Sequence, residues 1–167
     1  MLSKKIHAKL NEQIEIEAYS SNLYLAMASW ASENALPGSA KFLHKQAEEE
    51  RTHMLKLFEY LNRIGAHACV PALKAPPCDY KKIEVIFEQA FRHEQGVTRA
   101  IHELMDLAVT SKDYATSGFL QWFVDEQIEE EETFKMILDM LKMAGVQEGR
   151  NLYLADKEIG KRAEASK

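Results

Sequence analysis

The chain has 167 residues, a formal net charge of -5 and only 7 glycines and 4 prolines. That length suits one domain, the low glycine and proline content argues against a turn-rich sandwich or barrel, and 46% apolar with 28% charged residues excludes a disordered or low-complexity chain. No lysine- or arginine-rich block appears and the pI is about 5.7, so the electrostatic footprint of a nucleic-acid binder is missing.

From Met1 to Glu17 charged and apolar residues alternate with no greasy core, so neither a signal peptide nor a membrane anchor is expected. The first predicted helix covers 5–34, with Leu10, Glu17, Tyr24 and Ala31 on one seven-residue row. After the breaker Leu36-Pro37-Gly38 a second helix is predicted over 39–64. Its rows are Leu43, Glu50, Leu57, Ile64 and Ala47, Met54, Leu61. A breaker-rich stretch from Gly65 to Pro77 follows, and Cys69 and Cys78 lie either side of its prolines with a spacing that fits no zinc or redox motif; reduced thiols and a cytoplasmic location are expected. The third helix, 81–109, has rows Phe87, Glu94, Ile101, Ala108 and Ile83, Ala90, Val97, Leu104. The fourth, 114–144, follows a polar cluster at Thr110 to Asp113, with rows Leu120, Gln127, Phe134, Leu141 and Phe123, Glu130, Ile137, Ala144. Met136, Met140 and Met143 step along it as a further core stripe. A short fifth helix is predicted near 151–160, after Gly145 and Gly149.

Loop length sets the wiring. Short joins at 35–38 and 110–113 make each outer pair of helices antiparallel neighbours. The ~16-residue middle join reaches about 50 Å at about 3.3 Å per residue, enough to run the ~42 Å of a ~28-residue helix and start the third helix at the far end. An all-α four-helix bundle is expected, with a long crossover between helices 2 and 3, a short fifth C-terminal helix and a single domain over 1–167.

A polar residue interrupts the inward seam of every helix. Burying Glu17, Glu50, Glu94 and Glu130 costs several kcal/mol per ion unless a positive charge sits among them, and no lysine or arginine occupies the seam rows. Metal is the better source of that charge. Glu50 and His53 are three apart and share a helix face, presenting one oxygen and one nitrogen ligand together. Such a carboxylate-rich set with one imidazole suits iron or manganese. On the fourth helix Gln127-Ile128-Glu129-Glu130 stands where a second Glu-x-x-His would complete a symmetric pair. One of two metal sites is therefore poorer in nitrogen and expected to bind more weakly, with Glu50 and Glu130 able to serve both ions.

Glu17, Tyr24, Glu50, His53, Glu94, Gln127 and Glu130 together resemble the ferroxidase centre of the ferritin family, in its bacterial non-haem branch, over essentially the whole chain. The resemblance implies a ferritin-like bundle and a shell of twenty-four identical subunits that oxidises Fe(II) with O2 or H2O2 and stores a hydrated ferric oxide mineral. It assigns Glu17, Glu50 and His53 to a first iron, with Glu50 shared, and Glu94 and Glu130 to a second, with Gln127 beside it. Tyr24 would hydrogen-bond near the di-iron centre and supply one electron. Glu49, Glu126, Glu129 and Glu130 match the pattern of a third iron site, and access pores would form around 113–121, a stretch less acidic than a cation funnel. Haem is not expected, because the place of the haem-binding methionine in bacterioferritins is Arg51 here.

Two other readings stay open on the residues. One is a peroxide-reducing di-iron protein of the rubrerythrin kind, although two cysteines cannot build its four-cysteine iron module. The other is a non-catalytic helical assembly whose seam carboxylates specify register. His7, His44, His67, His93 and His102 lie off the seam or in the crossover and are expected at the surface or at interfaces. Trp30, Tyr153 and Leu154 are candidate subunit contacts.

Overall fold

The seven-residue rows become the facing stripes of four long helices in the computed structural model of the chain, which describes residues 3–145 and 149–165. These helices are α1 (Lys4–Glu33), α2 (Pro37–Arg63), α3 (Ile83–Thr110) and α4 (Tyr114–Ala144), and α5 (Arg150–Ala165) follows; no strand occurs among the described residues. Local chemistry sets several ends. The Ser3 hydroxyl accepts the Ile6 N–H at 3.1 Å at the start of α1, and the Asp113 carboxylate accepts from the Thr116 N–H and hydroxyl at 3.1 and 2.7 Å at the start of α4. Gly145, with φ of 59°, closes α4 in the left-handed conformation that glycine adopts without a Cβ penalty. Pro37 belongs to the helix that it was expected to precede. At the first helical position its missing N–H would have had no partner anyway.

Cross-helix contacts give the directions. Ser20 meets His93 while Trp30 meets Tyr80, so α1 runs opposite to α3. Gln46 meets Glu130 while Tyr60 meets Thr116, so α2 runs opposite to α4. With α1 and α2 joined by a tight turn, α2 and α3 are parallel, and the connection 64–82 must span the bundle as the sequence predicts. It is pinned at both ends. Asn11 accepts the Cys69 N–H at 2.7 Å and donates to the His67 carbonyl at 3.3 Å, and the Tyr80 hydroxyl donates to the Pro77 carbonyl at 3.0 Å beneath Trp30. Cys69 and Cys78 are exposed free thiols on this strap.

The apolar core is split in two. One cluster, around Tyr24, Phe42, Phe87 and Phe134, fills the end near the α1–α2 turn; the other, around Leu10, Leu57, Ile101 and Phe123, fills the opposite end. Between them lies a buried polar layer. α5 packs across the start of α2, where buried Asp156 accepts from the Gly38 and Ser39 N–H groups at 2.8 and 2.7 Å and from the Ser39 hydroxyl at 2.7 Å. A Cβ on Gly160 would lie 2.9 Å from the Cα of Gly38. Gly160 therefore marks close helix contact rather than the helix end predicted there, and α5 runs on to Ala165.

Two expectations change. Met136 and Met143 are 42% and 86% exposed, turned away from the buried row of Phe134, Ile137 and Leu141, while Met140 is half-buried against the core. Ile64 is exposed because it caps the end of α2, beyond the last packed turn. Trp30 is half-buried under the crossover, whereas Tyr153 and Leu154 are open to solvent. No described helix is long and apolar enough to cross a membrane.

Candidate metal centre

The middle layer collects one carboxylate from each long helix: Glu17 from α1, Glu50 from α2, Glu94 from α3 and Glu130 from α4, all buried. Among the described residues no lysine or arginine is buried with them. Desolvation alone disfavours their charged forms. Burial raises the carboxyl of Glu17 and, with Glu94, Glu17 and Glu130 adding repulsion, carries Glu50 well above the usual range. Burial, then Glu94 and Glu49, does the same to Glu130. Glu94 is pushed up to about 7 by burial, held from going higher by hydrogen bonds from Tyr24 and Gln127.

Glu17, Glu50 and His53 each offer one ligand atom within 4.8 Å of the others. Glu17 Oε2 and Glu50 Oε1 are buried and have no hydrogen-bond partner, although buried polar atoms in folded proteins almost always have one. His53 Nδ1 lies 3.4 Å from Glu50 Oε2. Burial, with Lys56 nearby, lowers His53 to about 4, so its ring is neutral and keeps a lone pair for a metal at neutral pH. Trp122 stands edge-on to His53 at 5.2 Å, with Lys56 Nζ over its ring at 4.1 Å. Three ligand groups converge here, two of them carboxylates with partnerless oxygens, and no lysine or arginine is buried beside them among the described residues; the set fits a divalent cation.

The other predicted residues fall into two further groups. Tyr24 donates to Glu94 Oε1 and Gln127 to Glu94 Oε2 at 3.0 Å, joining α1, α3 and α4 around one carboxylate. Glu130 stands across the layer on α4, its two oxygens met by Gln46. Glu49 and Glu126 are half-buried on its flank, and His53 Nε2 lies 4.0 Å from Glu126 Oε1. Burial raises both of these carboxyls. Glu129 is exposed.

Two residues of the layer were not singled out in the sequence. Gln13 is buried and donates to Glu17 Oε1 at 2.7 Å, and Gln46 is buried against Glu130. The signal was present: Gln13 lies four residues before Glu17, and Gln46 lies seven before His53 and four before Glu50. His93 departs from the expected surface position. It is half-buried between α1 and α3, with Nε2 at 2.7 Å from the Ser20 hydroxyl and its ring edge-on to Tyr24, and burial lowers it to about 4. His7 lies beside the crossover, Nε2 at 2.7 Å from the His67 carbonyl, while His44, His67 and His102 are exposed.

Residues 7–144 match the ferritin-like domain family. The chain is 45% identical over 159 residues to a bacterial non-heme ferritin of Campylobacter jejuni, covering 95% of each chain. It is 44% identical to a probable bacterial non-heme ferritin-like protein of Haemophilus influenzae, covering 96% of each. Among solved structures it is similar to an open-pore ferritin of the archaeon Archaeoglobus fulgidus, with 38% identity, a TM-score of 0.93 and coverage of 96% of this chain and 98% of that one.

Proposed function

The chain belongs to the ferritin family, and from that membership and the buried acidic layer we propose that it oxidises Fe(II) and stores the product as hydrated ferric oxide inside a shell of its own copies. Iron is substrate and cargo in this reading, and no haem takes part. The observation that carries it is the trio of Glu17, Glu50 and His53, with two partnerless carboxylate oxygens and no buried side-chain cation among the described residues.

Glu17, Glu50 and His53 would hold the first ion and Glu94 and Glu130 the second, with Glu50 and Glu130 reaching both and Gln127 beside the second. An arriving cation displaces the protons that burial keeps on these carboxyls and relieves their mutual repulsion. Each Fe(II) then gives up one electron. Dioxygen takes the pair with two protons and leaves as hydrogen peroxide, or hydrogen peroxide takes them with two protons and leaves as two waters. Tyr24, hydrogen-bonded to Glu94, would serve as a one-electron donor to the centre. Ferric ions would pass by Glu49, Glu126 and Glu129, a third site sharing Glu130, and hydrolyse into mineral. The exposed free thiols suit a reducing cytoplasm.

The test is Fe(II) oxidation in air, followed by near-ultraviolet absorbance on rapid mixing. Glu50→Ala and Glu130→Ala are each expected to slow the fast phase at least about tenfold, the size of effect that loss of a metal-positioning group produces. Oxidation at wild-type speed in both variants would exclude this centre.

A further inference from the structure

Amide side chains meet three of the four layer carboxylates: Gln13 on Glu17 at 2.7 Å, Gln127 on Glu94 at 3.0 Å and Gln46 on Glu130. Gln46 makes a different contact from the other two. Its Nε2 lies 3.2 Å from Glu130 Oε1 and 3.0 Å from Oε2, so a single amide nitrogen spans both oxygens. That is the edge of a carboxylate along which a chelated cation binds. The contact is buried on both sides, and the two N–H groups are the donors that steady Glu130 against the surrounding Glu94, Glu49 and Glu126. At the first site, by contrast, Glu17 Oε2 and Glu50 Oε1 carry no such donor.

We propose that Gln46 is a positioning residue that competes with the second cation for Glu130 and so keeps that cation exchangeable. The inference rests on the two-ion centre proposed above. A cation that takes both oxygens of Glu130 must displace at least one N–H of Gln46, and a buried donor left without an acceptor opposes binding. No amide donor has to be displaced from Glu17 Oε2 or Glu50 Oε1 when the first ion binds there. The two sites then differ in retention for a reason beyond their ligand types: the first holds its ion, while the second can hand its ion on.

Crystals of the metal-free assembled protein soaked without oxygen in graded Zn2+, which is redox-inert, allow the occupancy of each site to be refined from anomalous scattering. In Gln46→Met, which keeps the side-chain length and removes the donors, the Zn2+ concentration that half-fills the site on Glu94 and Glu130 is expected to fall about five- to tenfold, the equivalent of one buried hydrogen bond. The concentration that half-fills the site on Glu17, Glu50 and His53 should stay unchanged, whereas a general packing defect would weaken both. Gln46→Asn, which withdraws the amide by one methylene, should shift the second site in the same direction and serves if methionine packs badly. A second-site concentration that is unchanged or raised in both variants overturns the role of Gln46 and leaves the two-ion centre standing. Wild-type crystals with zinc on neither set of carboxylates overturn the centre and this inference together.

Discussion

Glu94 shows how desolvation and hydrogen bonding divide control of a single carboxyl. Tyr24 and Gln127 occupy its two oxygens and favour its anion, yet burial wins and lifts it from 4.5 to about 7. A carboxyl raised on folding binds its proton more tightly in the native state, so its stabilising contribution is complete below about pH 4.5 and lost as pH rises through about 7. His53 works with the opposite sign. Lowered from 6.5 to about 4, it supports the fold above pH 6.5 and withdraws that support as pH falls toward 4. Subtracting the melting profile of Glu94→Gln from that of the wild type isolates the first effect. Metal-free wild type should lose stability relative to the variant between about pH 4.5 and 7, and saturating Zn2+ should restore it above pH 7; a difference that is flat with pH would show that Glu94 does not titrate in this window.

The docking of α5 is decided by two glycines and one aspartate at the level of whole elements. Asp156 caps the start of α2 from another helix, taking two N–H groups that the leucine in the capping position cannot satisfy. Asp156→Ala should therefore cost about 1 to 2 kcal/mol, in the range of a lost helix cap, and raise amide exchange in the first turn of α2 and along α5. Gly38→Ala is the harsher change, since its Cβ would fall 1.9 Å from the Asp156 carbonyl oxygen. We expect it to release α5 from the bundle, visible as new proteolytic cleavage after Lys157 or Lys161, while helical content and first-site Zn2+ binding persist. Retained protection of α5 in this variant would mean that the Gly38 contact is not needed for docking.

For the whole molecule, the layer exacts a cost that its apolar ends must offset. Two separate aromatic-rich clusters close the bundle above and below four buried acids, so a cation bound among those acids would add to the folded state's stability. Outside the bundle, Ile128, Met143, Tyr153 and Leu154 remain exposed on a single chain, apolar area that contacts between copies in a shell would cover. Size-exclusion chromatography should accordingly give a particle of several hundred kilodaltons; a species near the 19.1 kDa of one chain, or twice that, would remove the storage shell while leaving the oxidation chemistry to be tested separately.

The fold and the acidic layer were legible before any coordinates because both are periodic. A seven-residue repeat marks the face that each helix buries, so a Glu falling on Leu10's row or Leu43's row must end up inside, and the length of the 64–82 connection selects the crossover. Neighbours on other helices leave no such mark in the sequence. That Gln46 would span both oxygens of Glu130, that His93 would turn in to meet Ser20, that Met136 and Met143 of α4 would face out and that Gly160 would lie against Gly38 were all set by how the helices rotate and approach one another. Sequence spacing specifies which side of a helix a residue occupies; which partner it meets there is decided only when the other helices pack against that side.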